Sequence, residues 1–220
     1  MFIGHWAAAF AAGAASERAP RLGTLFVAAQ LVDWAFFVFV LLGIEKMRIE
    51  PGITVLSPLD LYHMPITHSL LGTAGFAVAY GLIVAIGLRD RVAGLITAAV
   101  VLSHWLLDLL VHRPDLTLDG HPPLLGLGLW NYPLIEIPLE LALTFGAFLW
   151  YVRRTSGPAI GPIVLALLLL AMQWFHWFGP PPVAGTPAWP MALLGLAAFA
   201  LATLAAWWVG TTRRHRAAPD

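Results

Sequence analysis

An all-α, polytopic membrane bundle is the fold class this sequence predicts, and three observations predict it. Of 220 residues, 60% are hydrophobic and only 11% charged, less than half the roughly 25% that a water-exposed domain carries. Six apolar stretches approach the roughly 20 residues that cross a bilayer as a helix. Lysine and arginine gather in alternate connections between those stretches, the charge pattern of a multi-pass protein.

The elements follow in order. Met1–Ala15 is apolar, with no basic region ahead of it and no cleavage pattern behind. It is expected as retained structure, a seventh, shorter element that either spans obliquely or inserts halfway. The six full-length stretches are Leu22–Ile44, Thr67–Leu88, Val92–His112, Tyr132–Val152, Pro158–Phe178 and Pro190–Gly210. Ser57-Pro58 has the form of an N-cap followed by proline at the first helical position, which predicts a short interfacial helix over Pro58–Met64. Asn131 before Tyr132-Pro133 marks another helix start, and Pro138 inside that helix predicts a kink. No linker or repeat divides the chain, so a single membrane domain over 1–220 is expected. Residues 1–140 form its polar core, and 158–210 add two further helices.

Orientation follows from the cations. Arg18 and Arg21, Arg89 and Arg91, Arg153 and Arg154, and Arg213, Arg214 and Arg216 fall on one side if every apolar stretch crosses. That side is expected to be cytoplasmic, at a bacterial inner membrane, with the N-terminus outside and the C-terminus inside. The opposite connections hold only Lys46, Arg48 and Arg113. Zero net charge and the lack of a basic face exclude nucleic acid as a partner; membrane lipids are the expected surroundings. With no cysteine, disulfides and thiolate chemistry are excluded, and any metal must be held by nitrogen and oxygen.

On this topology His5, His63, His68, His104, His112, His121 and His176 all fall in the outer half or the outer loops, and only His215 lies in the tail. Asp33, Asp108, Glu136 and Glu140 sit in the membrane segments beside them. Ionisable groups in hydrocarbon cost a few kcal/mol each at least, so they pair, ligate a metal or line water. The sharpest unit is Ser103-His104-Trp105-Leu106-Leu107-Asp108, whose spacing of four puts His104 and Asp108 on one helical face, with His112 a turn further out. As a lone motif it is weak, fitting two ligands of one ion or a simple His–Asp pair. His63-Met64-Pro65-Ile66-Thr67-His68 delivers two more imidazoles at a helix entrance, which solvation alone would also satisfy. Convergence of several such groups from different helices at one depth points to a metal site. His121 and His176 are expected to be interfacial bystanders, and Asp115 and Asp119 a solvated acidic loop. Trp6, Trp130, Trp177 and Trp189 fit an interfacial aromatic belt.

Gly4-His5, Asp33, the segment His63 to Leu71 containing Ile66-Thr67-His68-Ser69, Ser103-His104 with Leu107-Asp108-Leu109-Leu110, and Gly126 to Asn131 together resemble a family of bacterial inner-membrane metal-dependent hydrolases. That family of unknown function is sometimes described as LexA-binding, and it is distantly similar to zinc-dependent phospholipase C and S1–P1 nuclease. The resemblance covers roughly residues 1–140. It implies His5, Asp33, His68, His104 and Asp108 as metal ligands, with His63 an addition. Met64-Pro65 stands where the family often carries Arg-Gly, which weakens the case for a phosphoester.

The leading expectation is a membrane-embedded metal-dependent hydrolase. One to three divalent ions, zinc the first choice, would activate water against a phosphoester or other ester of a lipid or envelope-derived substrate, outside the cytoplasm. Glu136 would act behind the ligands or as general base. The rivals are a metal-ion or proton transporter with the same groups as a midplane site, and a scaffold with a closed structural metal.

Overall fold

The computed structural model describes residues 1–180 and 182–216. Its core is a bundle of α1 (Trp6–Ala15), α2 (Leu22–Leu41), α3 (Leu70–Leu88), α4 (Arg91–Val111), α5 (Pro133–Arg154), α6 (Ile160–Phe178) and α7 (Ala188–Thr212). α2 to α7 are the six helices, among the described residues, long and apolar enough to cross a membrane. α1 is not. Its ten residues rise about 15 Å, half of a hydrocarbon core of roughly 30 Å. Short 3₁₀ turns precede α1, at Ile3–His5, and α5, at Leu129–Asn131. α5 begins where Pro133 supplies a preset φ, and Pro138 lies inside it.

α1 packs between α2 and α5. Trp6 stacks on Phe26, Phe10 meets Phe148, and Gly13 lies against Tyr151. Trp6 is therefore no member of an interfacial belt: it is fully buried, and its indole N–H donates to the Phe26 carbonyl at 3.3 Å. An indole this deep needs one acceptor, and α2 provides it.

The α3–α4 hairpin turns on two residues. Arg89 takes the left-handed conformation, and Asp90 caps α4 by accepting from the amides of Val92 and Ala93. The helices then close tightly at Gly81 and Gly94, where a Cβ added to Gly81 would stand 2.9 Å from the Gly94 carbonyl oxygen. Small residues let backbones in lipid approach in this way.

The arginine clusters share one end of the bundle. Arg18 makes a two-point ion pair with Asp90 (2.7 and 3.0 Å), Gly210 abuts Leu22, and β3 (Thr155–Ser156) pairs antiparallel with β4 (Arg214–His215). At the other end β1 (Lys46–Ile49) and β2 (Leu59–His63) form an antiparallel hairpin. This corrects the interfacial helix expected over Pro58–Met64. Ser57 does not start a helix; its hydroxyl bonds the Leu59 amide, and the chain continues extended. The alternation Lys46-Met47-Arg48-Ile49, exposed then buried, provides the pairing edge. Buried Asp60, joined to Arg48 and Arg113, pins the hairpin down.

Candidate metal centre

α4 builds the spine of the site. His104, Asp108 and His112 recur every four residues and stack along its buried face. α2 faces them with Asp33, the turn before α1 presents His5, and the segment ahead of α3 presents His68. Asp108 lies at the centre. Its Oδ1 is 3.1 Å from His5 Nε2 and 3.5 Å from His112 Nε2; its Oδ2 is 3.0 Å from His104 Nε2 and 3.7 Å from His68 Nε2. Asp33 Oδ1 stands 3.3 Å from His68 Nε2 and 3.5 Å from His104 Nε2. Donors about 2.0–2.1 Å from a tetrahedral ion sit roughly 3.3–3.4 Å from one another, and these spacings bracket that value. Three overlapping ligand groups result: His5–His104–Asp108, Asp33–His68–His104 and His68–Asp108–His112.

The tautomers agree with such a site. His104 Nδ1 lies 2.8 Å from the Ala29 carbonyl, which can only accept, so Nδ1 carries a proton and Nε2 is the nitrogen turned to the acids. Asp33, one turn beyond Ala29 on α2, is thus aligned with the ring it faces. The Thr67 hydroxyl donates to Glu45 Oε2 at 2.6 Å, leaving its lone pair to accept from His68 Nδ1 at 2.9 Å. His112 Nδ1 is 2.9 Å from Asp115 Oδ1, and the other oxygen of that carboxylate, Oδ2, is 3.3 Å from Arg113 Nε. These three imidazoles are each held by Nδ1 with Nε2 turned to the acids, the usual arrangement of metal-binding histidines; His5 has no such partner. Both nitrogens of His5, Nε2 of His104 and Oδ2 of Asp108 are buried without a hydrogen-bond partner among the described residues. Buried polar atoms seldom stay so without a ligand. By this test the donor set fits a divalent ion.

Glu140 fixes His5 from behind. Its Oε1 accepts from the amides of Phe2 (2.6 Å) and Gly4 (2.8 Å), and its Oε2 from Gln173 Nε2; Gln173 Oε1 in turn accepts from the Ile3 amide. The Met1 amino group lies beside Asp108 at 3.4 Å.

Other expected residues fall elsewhere. His63 is exposed in β2 opposite Lys46 and belongs to none of the three groups. Glu136 is buried, with Oε2 unpartnered, but it too is outside the groups. His121 is 82% exposed beside Asp119. Trp130 faces the site rather than an interface, its ring 4.3 Å from His112, whereas His176 is exposed, 5.2 Å from Phe2, and in none of the three groups. Sequence reasoning did not include His112 among the candidate ligands, although its spacing of four from Asp108 is the available signal. It also missed Glu45, for which no local signal exists.

A cavity of about 740 Å³ opens on the cluster and is lined by Asp33, His68, Asp108 and His112. Asp33 is the most open of the set, its side chain 20% exposed. The hairpin loop, Thr54 to Leu61, roofs the cavity, and α2, α6 and α7 wall it. Comparison of the chain with protein-family models, with curated proteins and with solved structures finds no match in any of the three.

Proposed function

We propose that this chain is a membrane-embedded metal-dependent hydrolase of phosphoesters or other esters, with its site toward the extracytoplasmic side. One observation carries the reading: a cavity large enough for an organic substrate, inside the ~300–1,000 Å³ of ligand pockets, reaches four of the six clustered residues. A closed structural site would have no such approach. The resemblance to the inner-membrane hydrolase family adds weight, because the five ligands it implies all stand in the cluster, joined by His112.

A divalent ion held there, zinc by its nitrogen and oxygen donors, supplies Lewis acidity and brings the pKa of a bound water toward neutrality. The chain's residues do the rest. His5, His68, His104 and His112 would each offer one lone pair and, with Asp33 and Asp108, would hold a metal through three overlapping groups that share His68, His104 and Asp108. Asp33, open to the cavity, meets a substrate first and is placed to take a proton from water. Glu136, buried but outside the three groups and the cavity lining, would act only through the residues between it and the cluster. With Met64-Pro65 in place of an arginine, phosphate charge would be left to the ion, since Arg48 and Arg113 are engaged with Asp60.

The transport reading has less support. Between the level of Asp33 and the arginine end, the helices carry no Asp, Glu, His, Lys or Arg to form an exit path. Purified protein in detergent should contain metal by elemental analysis, hydrolyse a chromogenic ester or phosphodiester, and stop on chelation. Metal flux into proteoliposomes without turnover would sink the hydrolase reading. Orientation is tested in this cysteine-free chain by single replacements: His121→Cys should react with an impermeant reagent outside intact cells, and Ser156→Cys should not.

A further inference from the structure

The cavity does not end at the metal centre. From Asp33 and Asp108 it continues between the hairpin-side halves of α6 and α7, along Met172, Phe175, Met191, Leu194, Ala198 and Leu201. At the arginine end these helices are joined, by β3–β4 and by Gly161 against Val209. Toward the hairpin they are parted by the cavity. The run from Met191 to Leu201 extends it about 15 Å along α7, all within a segment apolar enough to lie in lipid. Among the cavity-facing residues of α6 and α7 only His176 is ionisable.

The wall has an outward side. Phe175, Leu194 and Leu201 line the cavity, and near them on the same two helices Trp174, Leu193 and Leu204, which do not line it, are exposed on the bundle surface. In a bilayer that surface faces hydrocarbon, so the cavity is open sideways to lipid as well as upward to the hairpin. A polar, ligand-bearing end joined to an apolar, laterally open end is complementary to one kind of molecule: an amphiphile already in the membrane.

We infer that the space between α6 and α7 is a berth for a hydrocarbon chain of a bilayer lipid, which enters sideways from the hairpin-side leaflet and lays its ester or phosphoester at Asp33 and Asp108, resting on the hydrolase reading for the position of the head group. α6 and α7 lie outside the part of the chain that resembles the hydrolase family. They are the elements that would turn a metal centre into a lipid-handling one.

The test is photolabelling in vesicles of phosphatidylcholine containing a small fraction of phosphatidylglycerol with a diazirine in one acyl chain. Labelled positions are mapped by peptide mass spectrometry, and metal content is measured on the same samples. Label should concentrate on Met172, Phe175, Leu194 and Ala198 over the lipid-facing Leu82, Ile86 and Leu95. Ala198→Trp should lower it roughly tenfold by filling the berth, without changing metal content. Met191→Trp repeats the test should Ala198→Trp misfold. Label spread evenly over the lipid-facing helices, or unchanged in both variants, overturns the berth. Even label on metal-loaded protein leaves the hydrolase reading standing; concentrated label on protein that never binds metal supports the berth and counts against that reading.

Discussion

The hairpin half of the bundle and the arginine half are made by different rules. Around Asp108 polar groups are stacked at van der Waals distance: His5 lies parallel to His104 with ring centres 3.8 Å apart, and His68 and His112 stand 5.7 Å from each other. Below that level the packing is dry. Trp6, Phe10, Phe26 and Leu25 are fully buried there, and glycines set the helix spacing. Hydrocarbon adds no driving force for apolar helices to associate, so small-residue contacts must hold the dry half together. The polar half gathers buried ionisable groups that could hold a partner ion. The difference teaches where stability and function separate: one half can lose its ligand and remain a bundle, while the other cannot lose its close contacts.

The largest effect should come from Asp108→Ala, which takes two oxygens from the midst of four imidazoles. Bound metal should fall to background by elemental analysis, and His104→Ala and His112→Ala should each cost most of it. His121→Ala and His215→Ala should leave it unchanged. Full metal content in well-folded Asp108→Ala and His104→Ala proteins would make the comparison meaningless. Next is Thr67→Val, which removes the hydroxyl between Glu45 and His68 but no ligand. Loss of such an orienting partner lowers metal affinity roughly 10–100-fold, measured by competition with a chelator, while the helical content stays constant.

Gly94→Val tests the dry half. Its Cβ would stand 2.6 Å from the Gly81 carbonyl oxygen, and overpacking of this sort costs about 1–3 kcal/mol. The unfolding midpoint in detergent should drop, with metal per folded molecule unchanged. A Gly94→Val protein that keeps its midpoint but loses metal would show the halves to be coupled. The smallest effect is expected at the surface. The hydrogen bond from Arg18, with the Ala93 amide behind it, holds the Asp90 carboxyl below its ordinary value. A carboxyl so lowered stabilises the fold above its ordinary pKa, and that contribution is lost as pH falls through the lowered one. Arg18→Ala should therefore differ slightly from wild type at neutral pH in low salt, and the difference should vanish in acid.

The helices were legible because lipid demands one simple property, length of apolar sequence, and α2 to α7 have it. His5, Asp33, His68, His104 and Asp108 were legible for the complementary reason: ionisable groups in apolar runs stand out. His112 sat at the edge of its run, where a solvated histidine is ordinary, so its spacing was noted without its consequence. Glu45 lies at a segment boundary, and its hold on Thr67 depends on a loop closing over 22 residues. The hairpin was hidden by Ser57-Pro58, a local helix signal overruled by pairing with a distant strand. Half-length α1 was left open because apolar length alone does not distinguish a helix facing lipid from one enclosed by other helices.

The enclosure of α1 also bears on how the molecule assembles. Phe2, Ile3 and Gly4 are fastened by Glu140 and Gln173, partners 138, 170 and 136 residues later in the chain. Contacts so far apart in sequence close late, because the loop entropy comes before any reward. During synthesis His5 has no clamp until α5 and α6 have entered the membrane. On the proposed function, the His–Asp cluster is then the last part of the bundle to mature, and a chain truncated after α5 should insert its helices and still fail to retain an ion.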